Sequence, residues 1–349
     1  MRNDHITRIL TGDVYHSNKM ISSVELKIGP IGILIPLRGL GQTTFSCSIT
    51  SSSQSIIIHN PKVLPNIIEF VEKPSYGLLL SNLFILPVLN VQTTSVSLEY
   101  KVEKPLGEAG NFIVREINHS QTDKLIDTPI LIPSGQTIAI GLELVSLDTK
   151  YPFLSCRGNR PFIITVTPSR GQPVKVNLQF QCRKQNESFL MTYIDHDHSV
   201  SQAAVIFPYS THQNINNGQT CSNNNDNSQC YSIFDIENKH KSTTYPVLLT
   251  LHGSGIQPGN HADSYKVMSV DSSEYRFGLS DHWVLAPARF GAHNWEAIGE
   301  LSAKRSLHAL QEVIRDVPLN LPQVSTESAI AAGHSMVNLL ISIVYYYNY

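Results

Sequence analysis

Two short motifs in the C-terminal half carry residues that could do acyl-transfer chemistry. The first is His252-Gly-Ser-Gly255, and the second is Gly333-His-Ser-Met336. A serine hydroxyl that is lifted out of a sharp turn can attack a carbonyl carbon. A glycine-rich loop leaves backbone N–H groups free to face the oxyanion that develops during that attack. The two motifs together indicate a serine nucleophile, Ser335, and an oxyanion-binding loop.

Each motif follows a predicted strand. Tyr245–Leu251 is a continuous apolar run, which is typical of a strand in a parallel sheet that is covered on both faces. Ala329–Ala332 predicts a second strand directly before Ser335 and its neighbours. Between the two, apolar residues recur at helical spacing until Pro318 ends the pattern. Strand, helix and strand in this order predict a right-handed crossover in an α/β domain.

Further segments extend this pattern, and with the two motifs they resemble the prolyl oligopeptidase family of serine peptidases in the α/β-hydrolase superfamily. The segments are Phe189–Asp195, Ala203–Pro208, Leu249–Gly255, Ala286–Gly291, Asn294-Trp295 and Gly333–Met336. The resemblance spans about residues 186–336, which is less than half of the chain. It implies Ser335 as the nucleophile of a peptidase that needs no cofactor. The same resemblance implies oxyanion donors from the Met336 N–H and from the loop Gly253, Ser254 and Gly255.

The sequence departs from that family directly after Met336. Val337 stands where the strand-to-helix turn of the family has glycine, and the remaining residues are largely β-branched and aromatic. In this superfamily the acid and the base follow the serine in chain order. No Asp, Glu or His follows Ser335. We therefore expect a truncated hydrolase that is inactive in this form, because a serine hydroxyl without a base is a weak nucleophile.

Several other side chains near the motifs have simpler interpretations. His252 is expected to orient the oxyanion loop. His293, beside Asn294 and Trp295, is expected either to line the substrate side of the cleft or to be a loop residue. The run from Asp195 to Ser199 alternates aspartate with histidine, but a solvated hairpin turn is favoured over a metal site, because no other ligand cluster lies at a recognisable spacing.

The N-terminal half predicts a different architecture. Short apolar runs bounded by Gly, Pro, Ser and Asn recur up to about residue 185, which predicts a β-sandwich-like domain over residues 1–185. The predicted fold class is therefore multidomain β plus α/β, with an incomplete α/β-hydrolase domain over residues 186–349. Within the second domain, residues 212–240 predict an Asn-rich insertion, which a disulfide between Cys221 and Cys230 could close.

Composition excludes some classes of partner. Charged residues make up 15% of the 349 residues and the formal net charge is −2, with no basic block for nucleic acid. No apolar run is long enough to span a membrane. Two glycosylation sequons, at Asn118 and Asn186, favour a secreted protein, although the N-terminus lacks the features of a signal peptide. The sequence does not indicate an oligomeric state.

Three functions remain open at this point. The leading prediction is a prolyl-oligopeptidase-like peptidase that acts on peptides through Ser335. A related esterase that acts on small esters would use the same two motifs. The third alternative is a non-catalytic binding protein in which the β-sandwich is the functional part.

Overall fold

The computed structural model describes a little under two thirds of the chain, and these residues form two compact units, Met1–Ser51 and Ser52–Tyr349. The described residues are 8–16, 19–28, 55–59, 61, 66–69, 77–103, 112–117, 129–147, 153–154, 162–184, 187–208, 219–222, 229–232, 243–253, 256–268, 275–288, 295, 297–317 and 319–333. In the first unit, strands β1 (Arg8–His16) and β2 (Lys19–Ile28) pair as an antiparallel hairpin.

The second unit begins with eleven strands. In chain order they are β3 (Ile56–Ile58), β4 (Asn66–Glu69), β5 (Gly77–Leu79), β6 (Leu83–Asn90), β7 (Leu98–Glu103), β8 (Phe112–Glu116), β9 (Thr137–Ser146), β10 (Phe153–Leu154), β11 (Phe162–Pro168), β12 (Val174–Leu178) and β13 (Gln181–Lys184). The described residues before position 185 contain strands and no helix.

The rest of the second unit holds nine strands and two helices among its described residues. They are β14 (Phe189–Ile194), β15 (Val200–Ile206), β16 (Gln219–Ser222), β17 (Gln229–Ser232), β18 (Thr244–Leu251), α1 (Pro258–Ala262), β19 (Lys266–Met268), β20 (Tyr275–Phe277), β21 (Trp283–Pro287), α2 (Ile298–Asp316) and β22 (Gln323–Gly333).

Two antiparallel sheets pack face to face as a β-sandwich. One sheet has the order β3-β6-β9-β8 and the other has the order β12-β11-β7. Side chains alternate between the core and the outside along β11, where Phe162, Ile164 and Val166 point inward, as a period of two requires. Their partners across the core include Leu86 of β6 and Leu142 of β9. Burial of these alternating apolar residues stabilises the sandwich.

A hydrogen bond joins the two sheets near one edge. The Tyr100 hydroxyl on β7 donates to Glu116 Oε1 on β8 at 2.9 Å, and the backbone N–H of Ile130 donates to Glu116 Oε2 at 3.0 Å. Burial of the phenol, beside this carboxylate, raises the pKa of Tyr100 above its ordinary value. The phenol therefore stays protonated and keeps donating at physiological pH.

A second core lies around a five-stranded mixed sheet with the order β14-β15-β21-β18-β22. β14 and β15 form an antiparallel hairpin, whereas β18 pairs parallel to both β21 and β22. α2 packs on one face through a buried stripe of Ala303, Leu307, Leu310 and Ile314. Its first turn is less buried than the helical spacing predicted, because Ile298 and Leu301 are both at least half exposed.

The remaining sheets are small. β10, β5, β4 and β13 form a four-stranded sheet, and β16 pairs with β17 inside the predicted Asn-rich insertion. That pairing sets Cys221 opposite Cys230, a register that a cross-strand disulfide needs. The disulfide itself stays a prediction. Within the described residues, no helix is long and apolar enough to cross a membrane.

This architecture corrects the predicted fold class. The described residues hold 22 strands but only two helices, one of them with five residues. An α/β-hydrolase domain instead alternates parallel strands with helices that cover both faces of one sheet. The described chain is largely β, in several sheets, and this part of it shows no α/β-hydrolase domain. The prediction of an incomplete α/β-hydrolase domain is therefore wrong. It rested on two four-residue motifs, and motifs of that length indicate a local turn but not a fold.

Gly278, between β20 and β21, offers a test of this packing. Its φ is +85°, and a Cβ added there would lie 2.9 Å from Ile206 Cγ2 and 3.2 Å from the Phe207 carbonyl oxygen. We expect Gly278→Ala to lower the free energy of unfolding by about 2–4 kcal/mol, from backbone strain and overpacking together. Urea denaturation followed by circular dichroism measures this change.

Gly135 provides the matched control. Its φ is +68°, and a Cβ added there would meet no atom within 4 Å. Gly135→Ala should therefore lower the free energy of unfolding by about 1 kcal/mol, from backbone strain alone. Equal losses in the two variants would contradict the close approach of Gly278 to β15.

Candidate functional site

Most residues of the predicted acyl-transfer site lie outside the described part of the chain. These residues are Ser254, Gly255, His293, Asn294, Ser335 and Met336. The structure therefore brings together only His252, Gly253 and Trp295 from that set. The predicted roles of Ser335 and of the oxyanion loop remain predictions.

His252 is held tightly where β18 ends. The Trp295 indole N–H donates to the His252 carbonyl oxygen at 2.9 Å, and the two rings meet edge to face at 5.6 Å. The His252 Nδ1 lies 2.8 Å from the Gly253 carbonyl oxygen. Because a carbonyl only accepts, Nδ1 carries the hydrogen and Nε2 of the neutral ring is an acceptor. That Nε2 is buried and has no hydrogen-bond partner among the residues that the structure describes.

A second polar group beside His252 was missed by the sequence analysis. Thr250 Oγ1 lies 2.8 Å from His261 Nε2 and 2.7 Å from the Tyr265 hydroxyl. Thr250 is fully buried in β18, so both contacts satisfy a hydroxyl that would otherwise be costly there. The sequence did contain a signal for this group, because Thr250 is a polar residue within the apolar run Tyr245–Leu251.

The turn from Asp195 to Ser199 contains an aspartate, a histidine and a nearby serine, but they do not form a catalytic triad. Asp195 Oδ1 and Ser302 Oγ approach the same ring nitrogen, Nδ1 of His196, at 3.0 and 3.4 Å. A triad needs the acid on one nitrogen and the nucleophile on the other. Across the described residues, no three His, Cys, Asp or Glu side chains are grouped so as to hold a metal ion.

The second half of this turn is stabilised locally. The Ser199 hydroxyl donates to Asp197 Oδ1 at 2.6 Å, and this hydrogen bond lowers the pKa of Asp197 below its ordinary value. His198 adopts a positive φ of 64°, a conformation that some types of tight turn require. The observed geometry is that of a hairpin turn between β14 and β15.

One end of the β-sandwich gathers three loops, which we call the loop end: residues 91–95, 131–136 and 169–172. Asn90, at the end of β6, is fully buried beneath them. Its amide Nδ2 donates at 2.9 Å to the carbonyl oxygens of both Thr94 and Ile132, and its Oδ1 accepts from the Gln92 N–H at 2.9 Å. A single buried amide therefore joins two of the three loops.

Further hydrogen bonds attach the third loop. Gln92 Nε2 donates to the Arg170 carbonyl oxygen at 2.5 Å. The Ser169 N–H donates to the Ser97 carbonyl oxygen at 2.8 Å, and the Ser97 N–H donates to Ser169 Oγ at 3.2 Å. The Ser134 hydroxyl donates to the Gln92 carbonyl oxygen at 2.6 Å. The three loops thus form one hydrogen-bonded surface.

The loop end is polar but nearly uncharged. Its exposed residues include Thr93, Thr94, Ser134 and Gln136, and Arg170 is the only charged residue in the three loops. Apolar side chains are exposed beside them, with Leu131 at 63% and Val91 at 43%. The sequence analysis missed this surface, because its hydrogen bonds join residues far apart in the chain.

Comparisons with known proteins give no family for this chain. No family model and no curated protein matches it. Among solved structures, a chain described as "Apo PCuAC domain from PmoF1" is similar at 15% identity, covering 38% of this chain and 98% of its own, with a TM-score of 0.24. The "ASH / PapD-like domain of human CEP192 (PapD-like domain 7)" is similar at 11% identity, covering 42% and 98%, with a TM-score of 0.20.

These findings correct the sequence-based resemblance. The prolyl oligopeptidase family does not appear among the matches described above, and the described chain is mainly β. The resemblance to the prolyl oligopeptidase family and to the α/β-hydrolase superfamily is therefore wrong. Hydrolysis through Ser335, which lies outside the described residues, remains a prediction. The two similar structures have TM-scores too low to indicate a function.

Asn90 is the residue on which the loop end depends. We expect Asn90→Asp to lower the free energy of unfolding by about 2–3 kcal/mol at neutral pH, because a carboxylate cannot donate to the two carbonyl oxygens. Hydrogen exchange should rise at residues 91–95 and 131–136. Thr93→Ala, at an exposed position of the same loop, should change neither quantity. Unchanged exchange in Asn90→Asp would show that the amide does not hold the loops.

Proposed function

We propose that this chain is a non-catalytic binding protein whose β-sandwich presents the loop end to another protein. The buried Asn90 amide is the observation that carries this proposal, because it fixes two loops from beneath without using their exposed side chains. A surface that is ordered before binding loses less conformational entropy when a partner docks. Loops on a rigid scaffold are a common location for binding residues.

The chemistry of the loop end supports the same proposal. Charged residues are depleted at the centres of protein interfaces, whereas arginine is enriched there. The loop end matches this pattern of charge, because its one charged residue is an arginine, Arg170. Small hydroxyl and amide side chains supply adaptable hydrogen bonds, as they do in antibody paratopes. Val91 and Leu131 add apolar contact area.

A disulfide bond in the chain is consistent with an oxidising compartment. Cys182 on β13 is disulfide-bonded. Disulfides persist mainly in secreted proteins and in oxidising compartments. The sequons at Asn118 and Asn186 agree with that location. We therefore propose that the partner is met outside the cytosol.

Site-specific photo-crosslinking tests the binding function. We expect a photoreactive amino acid at Thr93 to give an adduct of discrete mass with a protein from the extracellular fraction of the source cells. Excess unmodified chain should compete the adduct away. The same photoreactive group at Ile113, an exposed residue of β8, is the matched control and should give no adduct.

The variant Ser335→Ala distinguishes a binding function from catalysis. Ser335→Ala should leave the Thr93 adduct unchanged, because the loop end does not use that hydroxyl. Labelling of the purified chain by a fluorophosphonate probe that disappears in Ser335→Ala would overturn the non-catalytic proposal. Equal adducts from Thr93 and Ile113 would show that the loop end is not the binding surface.

A further inference from the structure

Among the residues that the structure describes, Arg170 in the loop end has no acidic partner. The other arginines whose side chains the structure describes all engage another group: Arg115 pairs with Glu143, Arg183 with Asp263, Arg305 with Glu312 and Arg315 with Asp316, while Arg276 also makes an interaction. Within the described part of the chain, the guanidinium of Arg170 has one hydrogen-bond partner, Thr94 Oγ1, at 3.5 Å. Most of its five N–H donors are therefore free for a ligand.

The backbone that carries Arg170 is fixed. Its carbonyl oxygen accepts from Gln92 Nε2, and the preceding residue, Ser169, is bonded twice to Ser97. Gly171 follows with a φ of +119°, in a tight turn where a Cβ would collide with the Ser55 side chain. A guanidinium on a fixed turn loses less freedom on binding than one on a flexible loop.

The residues around Arg170 favour a negatively charged ligand. None of the residues 91–95, 131–136 and 169–172 is acidic, so no neighbouring carboxylate in the loop end competes for the guanidinium. A carboxylate matches the planar fork of arginine with two parallel hydrogen bonds. Val91 and Leu131, in the other two loops of the loop end, are exposed and offer apolar surface for a neighbour of that carboxylate.

We propose, building on the binding function above, that Arg170 anchors a carboxylate of an acidic segment in the partner protein, next to an apolar residue. Nucleic acid and anionic membranes fit less well, because both require several basic residues and the loop end has one. Arginine-anchored carboxylates at interface centres often contribute a large share of the affinity.

A pair of peptide libraries tests this inference. Both are degenerate nonapeptide libraries with a fixed central dipeptide, Leu-Glu in one and Leu-Gln in the other. We expect the full chain to retain Leu-Glu peptides at least about tenfold better, in line with a desolvated charge pair. Arg170→Gln should abolish the difference, and Arg170→Lys should restore part of it. Higher salt should weaken retention of the Leu-Glu library only.

Arg115→Gln is the matched control, since Arg115 is exposed but already paired with Glu143, and it should retain both libraries as the unmodified chain does. Equal retention of the two libraries, or no retention of either, would overturn the inference. Arg170-dependent binding to vesicles of phosphatidylserine would assign the site to a membrane instead. The photo-crosslinked adduct at Thr93 distinguishes the two proposals. If the adduct forms but Arg170→Gln does not change the retention of the peptide libraries, the proposed binding function stands and the proposed carboxylate site at Arg170 is wrong.

Discussion

The pairing of β6 with β9 is the constraint on which the loop end depends. The register runs from Leu83 opposite Glu143 to Leu89 opposite Thr137. It therefore brings the end of β6 next to the turn before β9, where the Asn90 N–H donates to the Gln136 carbonyl oxygen at 3.0 Å. A slip of one residue would turn the buried side chains of β6 to the other face, so burial itself enforces this register. The position of the Asn90 amide follows from it.

The start of β6 is fixed in a different way. The Leu83 N–H donates to Thr192 Oγ1 of β14 at 3.0 Å, in a buried position, and the Thr192 N–H donates to the Leu80 carbonyl oxygen at 3.2 Å. These bonds attach one end of the sandwich to the five-stranded sheet. β6 spans eight residues, so its two ends lie about 25 Å apart at the usual rise of a strand. One end of β6 is thus used for internal packing, and the other carries exposed loops.

Local patterns in the sequence predicted local elements but not their assembly. The apolar run Tyr245–Leu251, the short apolar runs of the N-terminal half and the helical spacing that ends near Pro318 correspond to strands and a helix of the structure. Sheet order and the loop end could not be predicted, because Asn90 and Ile132 are 42 residues apart and no local pattern indicates that β6 pairs with β9. The hydrolase interpretation failed for the same reason. It took a fold from turn residues such as His252-Gly-Ser-Gly255, whose chemistry is set by their nearest neighbours.

Two buried polar side chains, Asn90 at the loop end and His252 at the end of β18, are held in different ways. The Asn90 amide has three partners, so its burial costs little and each bond holds a loop in place. His252 Nε2 is also buried but has no hydrogen-bond partner in the described part of the chain, so this atom does not fix the ring there. The fixed position of His252 comes instead from its backbone carbonyl and from the Trp295 ring. At the loop end, therefore, a side-chain amide that bonds to loop backbone holds a polar surface in place, whereas His252 is held by one backbone hydrogen bond and by contact with an aromatic ring.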